Sequence, residues 1–184
     1  YSAEGEVEWA KNIGGSSRDF IESVAETSDG GYIAGGYFSS STIQVGDYTL
    51  TNNSSSTSYS DGLIIKFNEE GEVEWAKNIG GSRRDYIESV ATTSDEGYIA
   101  GGYFHSSTIQ VGDYRLTNSN INFCNVLLIK YSVEGEVEWA KSFGGSRDDS
   151  ISSVAGTSDG GYIAGGRFDS STIQVGDETL TSNG

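Results

Sequence analysis

His105 is the only histidine in the chain and therefore the first residue to consider as a general base or a metal ligand. A histidine in either role needs fixed partners around it. The corresponding positions in the other two copies of a repeated segment are Ser39 and Asp169, so this position carries no constant chemistry. We expect His105 to be a surface residue without a catalytic or metal-binding role, and the sequence predicts no catalytic residues.

Cys124 is the only cysteine, which excludes an intrachain disulfide. Its apolar neighbours Phe123 and Val126 indicate a small buried hydrophobe rather than a reactive thiol. The serines lie in Ser/Thr runs with no base nearby in sequence. The glycine-rich residues 14–18 lack the Lys-Ser/Thr ending of a phosphate-binding loop. None of these segments predicts a cofactor.

Aspartates recur at two turn positions of each repeat and are the candidates for binding calcium. They are Asp29, Asp95 and Asp159 in one turn, and Asp47, Asp113 and Asp177 after a glycine. Calcium loops gather several oxygen ligands in a D-x-D-x-D-G pattern, and no segment has that spacing. We expect turn-forming aspartates and no metal site, with ligands assembled from different repeats as the open alternative.

At a few positions, aromatic, basic and acidic side chains replace one another between the copies. A packed interior does not tolerate such exchanges, so these positions are expected to face solvent. A surface rich in Tyr and Arg is typical of partner recognition, and neutral drift on an exposed face is the other explanation. The candidate partner-binding residues are Arg18, Tyr37, Tyr48, Arg84, Tyr86, Tyr103, His105, Tyr114, Arg147 and Arg167.

These residues belong to tandem repeats. The segment GEVEWAK begins at Gly5, Gly71 and Gly135, so its tryptophan recurs at intervals of about 65 residues. We divide the chain into repeats at 1–69, 70–133 and 134–184, the third being truncated, which together form one architectural segment. A fragment of a longer array and a subunit that closes a ring with its own copies are both compatible with this pattern.

The composition excludes several classes of protein. A formal net charge of −16 disfavours non-specific binding to nucleic acids and to anionic membranes. Three Trp, eleven Tyr and seven Phe, recurring in register, argue against a disordered chain. No apolar run approaches the length of a membrane span.

Alternation of apolar and polar residues predicts a strand over residues 73–79. Residues 85–93 are ambiguous, because Ile87, Val90 and Ala91 have helical spacing and Asp85 is suited to cap a short helix. Their β-branched content and the Ser-Asp-Gly or Ser-Asp-Glu turn that follows favour a strand. We expect a type I′ hairpin turn there, in which both central residues need positive φ.

The remaining segments complete an all-β repeat. Residues 98–104 return as a partner strand, whose glycines indicate the close approach of a neighbouring sheet. Residues 108–116 predict a smaller hairpin around Gly112-Asp113, and the continuously apolar residues 126–131 predict a strand covered on both faces. The sequence thus predicts about three four-stranded antiparallel blades of an incomplete β-propeller, each with an inserted hairpin.

Several of these motifs, in order, carry a family resemblance. They are Asp61 before Gly-Leu-Ile-Ile-Lys, the Trp75 strand, Gly80-Gly81 with Asp85, residues 97–104, and Val111-Gly112 followed by Leu116. Over essentially the whole chain, they resemble the bacterial β-propeller repeat of the SBBP type, which departs here in having Asn125 and Val126 at the positions of Asp61 and Gly62. The resemblance implies exported or cell-surface bacterial proteins with propellers of about seven blades.

The expected function is a non-enzymatic structural or adhesive repeat module, extracellular or on the bacterial cell surface, that presents loops from a rigid scaffold. The alternative is a carbohydrate-binding propeller in which exposed tyrosines stack on sugars. The expected partners are other repeats of the same array, copies of the chain that complete a ring, or a cell-surface protein or glycan. Neither nucleic-acid binding nor membrane insertion is expected.

Overall fold

The computed structural model describes residues 1–54, 56 and 58–182, and within these residues the chain contains sixteen β-strands and no helix. The strands of the first group are β1 (Asp19–Glu26), β2 (Tyr32–Phe38), β3 (Thr42–Val45), β4 (Tyr48–Thr51), β5 (Asp61–Phe67) and β6 (Val73–Ile79). The second group comprises β7 (Asp85–Thr92), β8 (Tyr98–Phe104), β9 (Thr108–Val111), β10 (Tyr114–Thr117), β11 (Asn125–Tyr131) and β12 (Val137–Phe143). The third comprises β13 (Asp149–Gly156), β14 (Tyr162–Phe168), β15 (Thr172–Val175) and β16 (Glu178–Thr181).

Each full group forms one antiparallel four-stranded sheet with a separate two-stranded hairpin. The first sheet has the order β1-β2-β5-β6 and the second sheet the order β7-β8-β11-β12. The hairpins β3-β4 and β9-β10 are inserted between the second and third strands of these sheets. The third group consists of the pair β13-β14 and the hairpin β15-β16. The prediction of an all-β chain of antiparallel strands is confirmed, and the described residues form no closed ring.

The ambiguous segment at residues 85–93 is a strand, as predicted, and a β-bulge explains its helix-like spacing. In the pairing with β8, Ile87 lies opposite Gly102 and Ser89 opposite Gly101, so Glu88 is an extra residue. A bulge shifts the alternation of side chains by one position. Ile87 and Val90 are therefore both buried, although they are three residues apart.

The hairpin between β1 and β2 also forms as predicted, but the predicted type I′ turn is wrong. Only Gly30 has positive φ, whereas Asp29 does not. The turn is closed by a hydrogen bond from the Gly30 N–H to the Thr27 carbonyl at 3.0 Å. The carboxylate of Asp29 accepts hydrogen bonds from the Thr27 hydroxyl and from the Gly31 N–H, and it stabilises this wider turn.

The first copy of the GEVEWAK segment forms no strand, whereas the second and third copies form β6 and β12. Those two strands pair with β5 and β11, whereas residues 5–11 pair with no strand among the described residues. Trp9 nevertheless packs its ring against Tyr32 and Phe67, with centroid distances of 5.7 and 6.0 Å. The tryptophan contact is thus retained without strand pairing.

Successive sheets pack face to face through apolar side chains that fill the space above glycines. A Cβ atom on Gly35 would lie 2.6 Å from Val90 Cγ1 and 2.7 Å from Ile87 Cγ2 of the next sheet. A Cβ on Gly101 would lie 2.6 Å from Ile151 Cγ2, again in the following group. The predicted close approach of a neighbouring sheet at these glycines is confirmed.

A hydrogen bond between the sheets accompanies each of these contacts. The Val90 N–H donates to Ser23 Oγ, and the Val154 N–H donates to Ser89 Oγ, both at 3.1 Å. Each serine follows the bulge in its own strand, where the extra residue interrupts the regular pairing. The same device thus recurs at both sheet-to-sheet contacts.

A buried lysine ties the first sheet together at one end. The side chain of Lys66 is 1% exposed, and its Nζ lies 2.9 Å from Asp29 and 2.8 Å from Glu74. Nζ also donates to the Phe67 carbonyl at 3.0 Å. Lys130 repeats the arrangement in the second sheet, with Asp95 at 3.0 Å as one of its partners. The two turn aspartates therefore neutralise buried lysines.

Candidate ligand-binding surface

An aspartate at the start of the first strand of each group fixes the loops on which the variable residues lie. Asp85 is fully buried and accepts hydrogen bonds from the Gly81 N–H at 2.8 Å and from the Ser106 hydroxyl at 2.7 Å. Burial raises the pKa of Asp85 to about 6, against the effect of these hydrogen bonds. Asp19 and Asp149 hold the equivalent glycine and serine in the other two groups.

Next to this anchor, where β1 and β7 begin, the surface has an open depression of about 460 Å³, which we call the first depression. It combines aromatic, hydroxyl and guanidinium side chains from the first and second groups. Its lining residues are Ser17, Arg18, Phe20, Tyr37, Ser39, Ser58, Ser60, Arg84 and Tyr86.

A row of aromatic rings crosses from the first sheet to the second. The ring of Tyr37 lies between Phe20, at a centroid distance of 5.1 Å, and Tyr86, at 4.1 Å. The row continues from Tyr86 to Tyr103 at 5.0 Å and from Tyr103 to His105 at 5.9 Å. The three tyrosines are half-buried, and burial raises the pKa values of Tyr37 and Tyr103. The hydroxyls of Tyr37 and Tyr103 are therefore protonated at neutral pH and can donate hydrogen bonds.

The equivalent position between the second and third groups forms a smaller depression of about 350 Å³, which we call the second depression. Its chemistry differs from that of the first. Its lining residues are Glu88, Tyr103, His105, Cys124, Asp148, Ser150, Ser152 and Arg167.

His105 was expected to be a surface residue, and the structure places it partly buried in the second depression. Its side chain is 26% exposed, and its Nε2 lies 4.0 Å from Asp148 Oδ1. One ligand atom each from His105, Cys124 and Asp148 lie within 4.8 Å of one another. Burial lowers the pKa of the His105 imidazole, and the charge of Asp148 partly opposes this shift. Cys124 is buried, as predicted.

The structure places two of the predicted tyrosines away from the depressions. The hydroxyl of Tyr48 donates to the Glu74 carbonyl at 2.6 Å, and that of Tyr114 donates to the Glu138 carbonyl at 2.5 Å. These bonds tie the hairpins β3-β4 and β9-β10 to β6 and β12. The hydroxyls of Tyr48 and Tyr114 thus have a structural partner.

The predicted arginines lie in different settings. Arg18 and Arg84 are exposed and line the first depression, and Arg84 also lies over the ring of Tyr59 at 5.8 Å. Arg167 lines the second depression and forms an ion pair with Asp169 at 3.3 Å. Arg147 is exposed, and its backbone N–H donates to Ser170 Oγ at 3.0 Å.

Several lining residues lie outside the predicted set. Phe20 and Asp148 occupy positions that vary between the copies, so the comparison of repeats contains the signal for them. Cys124 precedes β11 as Ser60 precedes β5, and this alignment is visible only once the variable loop before it is disregarded. Glu88 is displaced toward the surface by the bulge, which the sequence pattern does not indicate.

Comparison with family models and with curated proteins finds no match to this chain. Within the part of the chain that the structure describes, no helix is long and apolar enough to cross a membrane.

Proposed function

We propose that the chain is a stretch of β-propeller in which the first and second sheets are blades and the third group is the beginning of another. The repeated packing of Ile87 and Val90 over Gly35, and of Ile151 and Val154 over Gly101, carries this proposal. Face-to-face stacking of similar four-stranded antiparallel sheets is the organising contact of propellers. The order of strands in each sheet fits the same architecture.

On this scaffold we propose a non-enzymatic structural or adhesive function, outside the cell or on a bacterial cell surface. The support is the internal repetition, the resemblance to SBBP-type repeats and the concentration of variable side chains around the first and second depressions. The side chains that pack over the glycines, such as Ile87 and Val90, are the same in all three copies, so the depressions vary around a constant packing contact. This arrangement is typical of binding modules built on rigid scaffolds.

The two ends of the described array are complementary, which supports other repeats or further copies of the chain as partners. At one end, Ile21 and Val24 of β1 are 39% and 69% exposed. They correspond to the Ile87 and Val90 pair that fills the space over Gly35. At the other end, a Cβ on Gly165 would have no neighbour within 4 Å. A like repeat docked at either end would reproduce the contact seen twice inside the chain.

We expect head-to-tail association of the chain at high protein concentration, measured by light scattering after size exclusion in moderate salt. Salt screens the net charge of −16, which opposes association. Val24→Asp removes one side of the contact and is expected to reduce the apparent mass to that of a monomer. Asp113→Asn, at an exposed turn, is the control and should associate like the unmodified chain. A folded chain that stays monomeric at all concentrations would contradict self-association.

The alternative function, carbohydrate binding, is favoured by the row of aromatic rings. Tyr37, Tyr86 and Tyr103 line the depressions together with hydroxyl and guanidinium groups that can hydrogen-bond to sugar hydroxyls. Aromatic faces with polar groups beside them are suited to amphipathic ligands. We do not include Tyr48 and Tyr114 in the proposed sugar site, because their hydroxyls are bonded to neighbouring strands.

A glycan array separates the two functions. If the chain is a lectin, binding should be lost in Tyr103→Ala and retained in Tyr114→Phe, since only Tyr103 lines a depression. If the chain is a structural or adhesive module with a protein partner, no glycan should bind above background. Binding to glycans that both variants retain equally would argue against the aromatic row as the site.

A further inference from the structure

The second depression brings three chemically different metal ligands together from three separate loops. His105 follows β8, Cys124 precedes β11 and Asp148 precedes β13. An imidazole nitrogen, the thiol sulfur and a carboxylate oxygen lie within 4.8 Å of one another. Nδ1 of His105 is buried and has no hydrogen-bond partner among the described residues. One nitrogen of this imidazole is thus enclosed without a partner, and the other, Nε2, lies 4.0 Å from Asp148 Oδ1.

The equivalent positions in the first depression show that this combination is specific to one place in the chain. There the three positions are occupied by Ser39, Ser60 and Arg84. The two serine hydroxyls are hydrogen-bonded to each other at 2.7 Å, and the third position carries a cation. The scaffold therefore accepts a serine-serine-arginine set, and all three positions differ together in the second depression. Each of the three differences introduces a side chain that can bind a transition metal.

The backbone around the cluster is held in place by hydrogen bonds. The His105 N–H donates to the Arg84 carbonyl at 2.8 Å and to the Asp85 carboxylate at 3.2 Å. The Cys124 N–H donates to Asp148 Oδ1 at 2.9 Å, and the Asp149 N–H donates to the Cys124 carbonyl at 3.1 Å. These bonds fix the three loops relative to one another, so that only side-chain rotation is needed to close the cluster on an ion.

We propose that His105, Cys124 and Asp148 form a binding site for a divalent transition-metal ion, with Zn²⁺ as the best match. Zn²⁺ takes nitrogen, sulfur and carboxylate ligands in tetrahedral geometry at about 2.0–2.3 Å, which places the ligand atoms about 3.3–3.8 Å apart. The 4.0 Å separation of His105 Nε2 and Asp148 Oδ1 is close to this range. Three protein ligands leave the fourth position open to water or to a ligand in the second depression.

The donor set excludes the harder cations. A thiolate and an imidazole are poor ligands for Ca²⁺ and Mg²⁺, which prefer oxygen. On binding, the Cys124 thiol gives up its proton to solvent as the metal–sulfur bond forms, with no change of oxidation state.

The charged groups around the cluster include carboxylates as well as arginines. Arg83 and Arg84 act on His105 electrostatically, and Arg167 lines the same depression. Arg167 is paired with Asp169, and Glu88 adds a carboxylate to the lining of the depression. The carboxylate of Asp148 and the thiolate of Cys124 are the two negatively charged ligands that offset the charge of the ion.

The test is titration of the full chain with Co²⁺, which reports sulfur ligation optically, and with Zn²⁺ by calorimetry. We expect one ion per chain, a cobalt–thiolate charge-transfer band, and displacement of Co²⁺ by Zn²⁺. Cys124→Ser reproduces the residue found at position 60 and should fold; it is expected to abolish the band and to weaken Zn²⁺ binding by at least about ten-fold. Asp148→Asn should weaken Zn²⁺ binding by a similar factor while keeping the band.

Asp113→Asn serves as the control, because it removes an exposed carboxylate from a turn outside the cluster. It should bind both ions like the unmodified chain. Absence of the charge-transfer band in the unmodified chain would overturn the site, and so would Zn²⁺ affinity that is equal in Cys124→Ser and in the unmodified chain. These results are independent of glycan binding and of self-association.

Discussion

Replacing Gly101 by alanine is expected to destabilise the chain by about 1–3 kcal/mol, whereas the same change at Gly165 should alter stability by no more than about 0.5 kcal/mol. The two glycines occupy equivalent positions in β8 and β14. A Cβ on Gly101 would lie 2.6 Å from Ile151 Cγ2 and 2.7 Å from Val154 Cγ1, both in a packed interface. A Cβ on Gly165 would meet no atom within 4 Å.

This comparison isolates the contact between sheets from the backbone effect of replacing glycine in a strand. Both positions lie in the second strand of their group, and both lie opposite the serine that follows the bulge. The measurement is urea unfolding, at protein concentrations where light scattering gives a monomer. Gly35→Ala should behave like Gly101→Ala, because Ile87 and Val90 cover Gly35. Equal destabilisation at Gly101 and Gly165 would show that sheet stacking contributes nothing to stability.

The strands could be predicted from the sequence because the signals for them are local. Apolar alternation, glycines and turn residues are local signals, and each strand of the repeat carries them. The segment at Asp85–Thr92 is instructive, because its helical spacing is real and comes from the bulge at Glu88. A bulge is invisible to a period-based prediction, although the β-branched residues around it still favour a strand. The type of turn at residues 27–31 was predicted wrongly, because it depends on the hydrogen bonds that the Asp29 carboxylate accepts from Thr27 and Gly31. The pattern of residues does not reveal these bonds.

The candidate site depends on contacts between repeats, which sequence spacing does not encode. The loops carrying His105, Cys124 and Asp148 are separated along the chain and meet only because β13 packs against β7, β8 and β11. Comparison of the copies marks His105 as variable, and a variable position is expected to be exposed and to have no fixed partners. The structure shows that a variable position can also be half-buried when its neighbours vary with it.

Replacing Lys66 by methionine is expected to destabilise the chain by about 2 kcal/mol at neutral pH. Methionine retains most of the buried aliphatic stem, so that the loss falls on the charged hydrogen bonds. Nζ holds Asp29 at 2.9 Å, Glu74 at 2.8 Å and the Phe67 carbonyl at 3.0 Å. Both carboxylates are close to half-exposed, at 49% and 45%, so water partly replaces the lysine and the cost stays below that of a fully buried pair.

The pH dependence of this variant follows from Asp29. A hydrogen bond from Thr27 and, with a smaller effect, one from Lys66 lower the pKa of Asp29 from 3.8 to about 2. A carboxylate whose pKa is lower in the folded state stabilises the fold above its unfolded pKa, and the contribution is lost as pH falls through the folded value. The difference in stability between Lys66→Met and the unmodified chain should therefore narrow between about pH 4 and pH 2.

Lys77→Met is the matched control, because Lys77 also lies in a lysine–carboxylate pair, but its side chain is 33% exposed against 1% for Lys66. Its Nζ is 3.2 Å from Glu136, whose side chain is 80% exposed. Such pairs contribute about 0–1 kcal/mol, so thermal and urea unfolding of this variant should resemble those of the unmodified chain. If Lys66→Met and Lys77→Met had the same free energy of unfolding at every pH, the hydrogen bonds of Lys66 would contribute no net stability. A larger loss of unfolding free energy in Lys66→Met than in Lys77→Met would show that the buried ion pairs stabilise the first sheet. Lys130 and Asp95 repeat the arrangement in the second sheet.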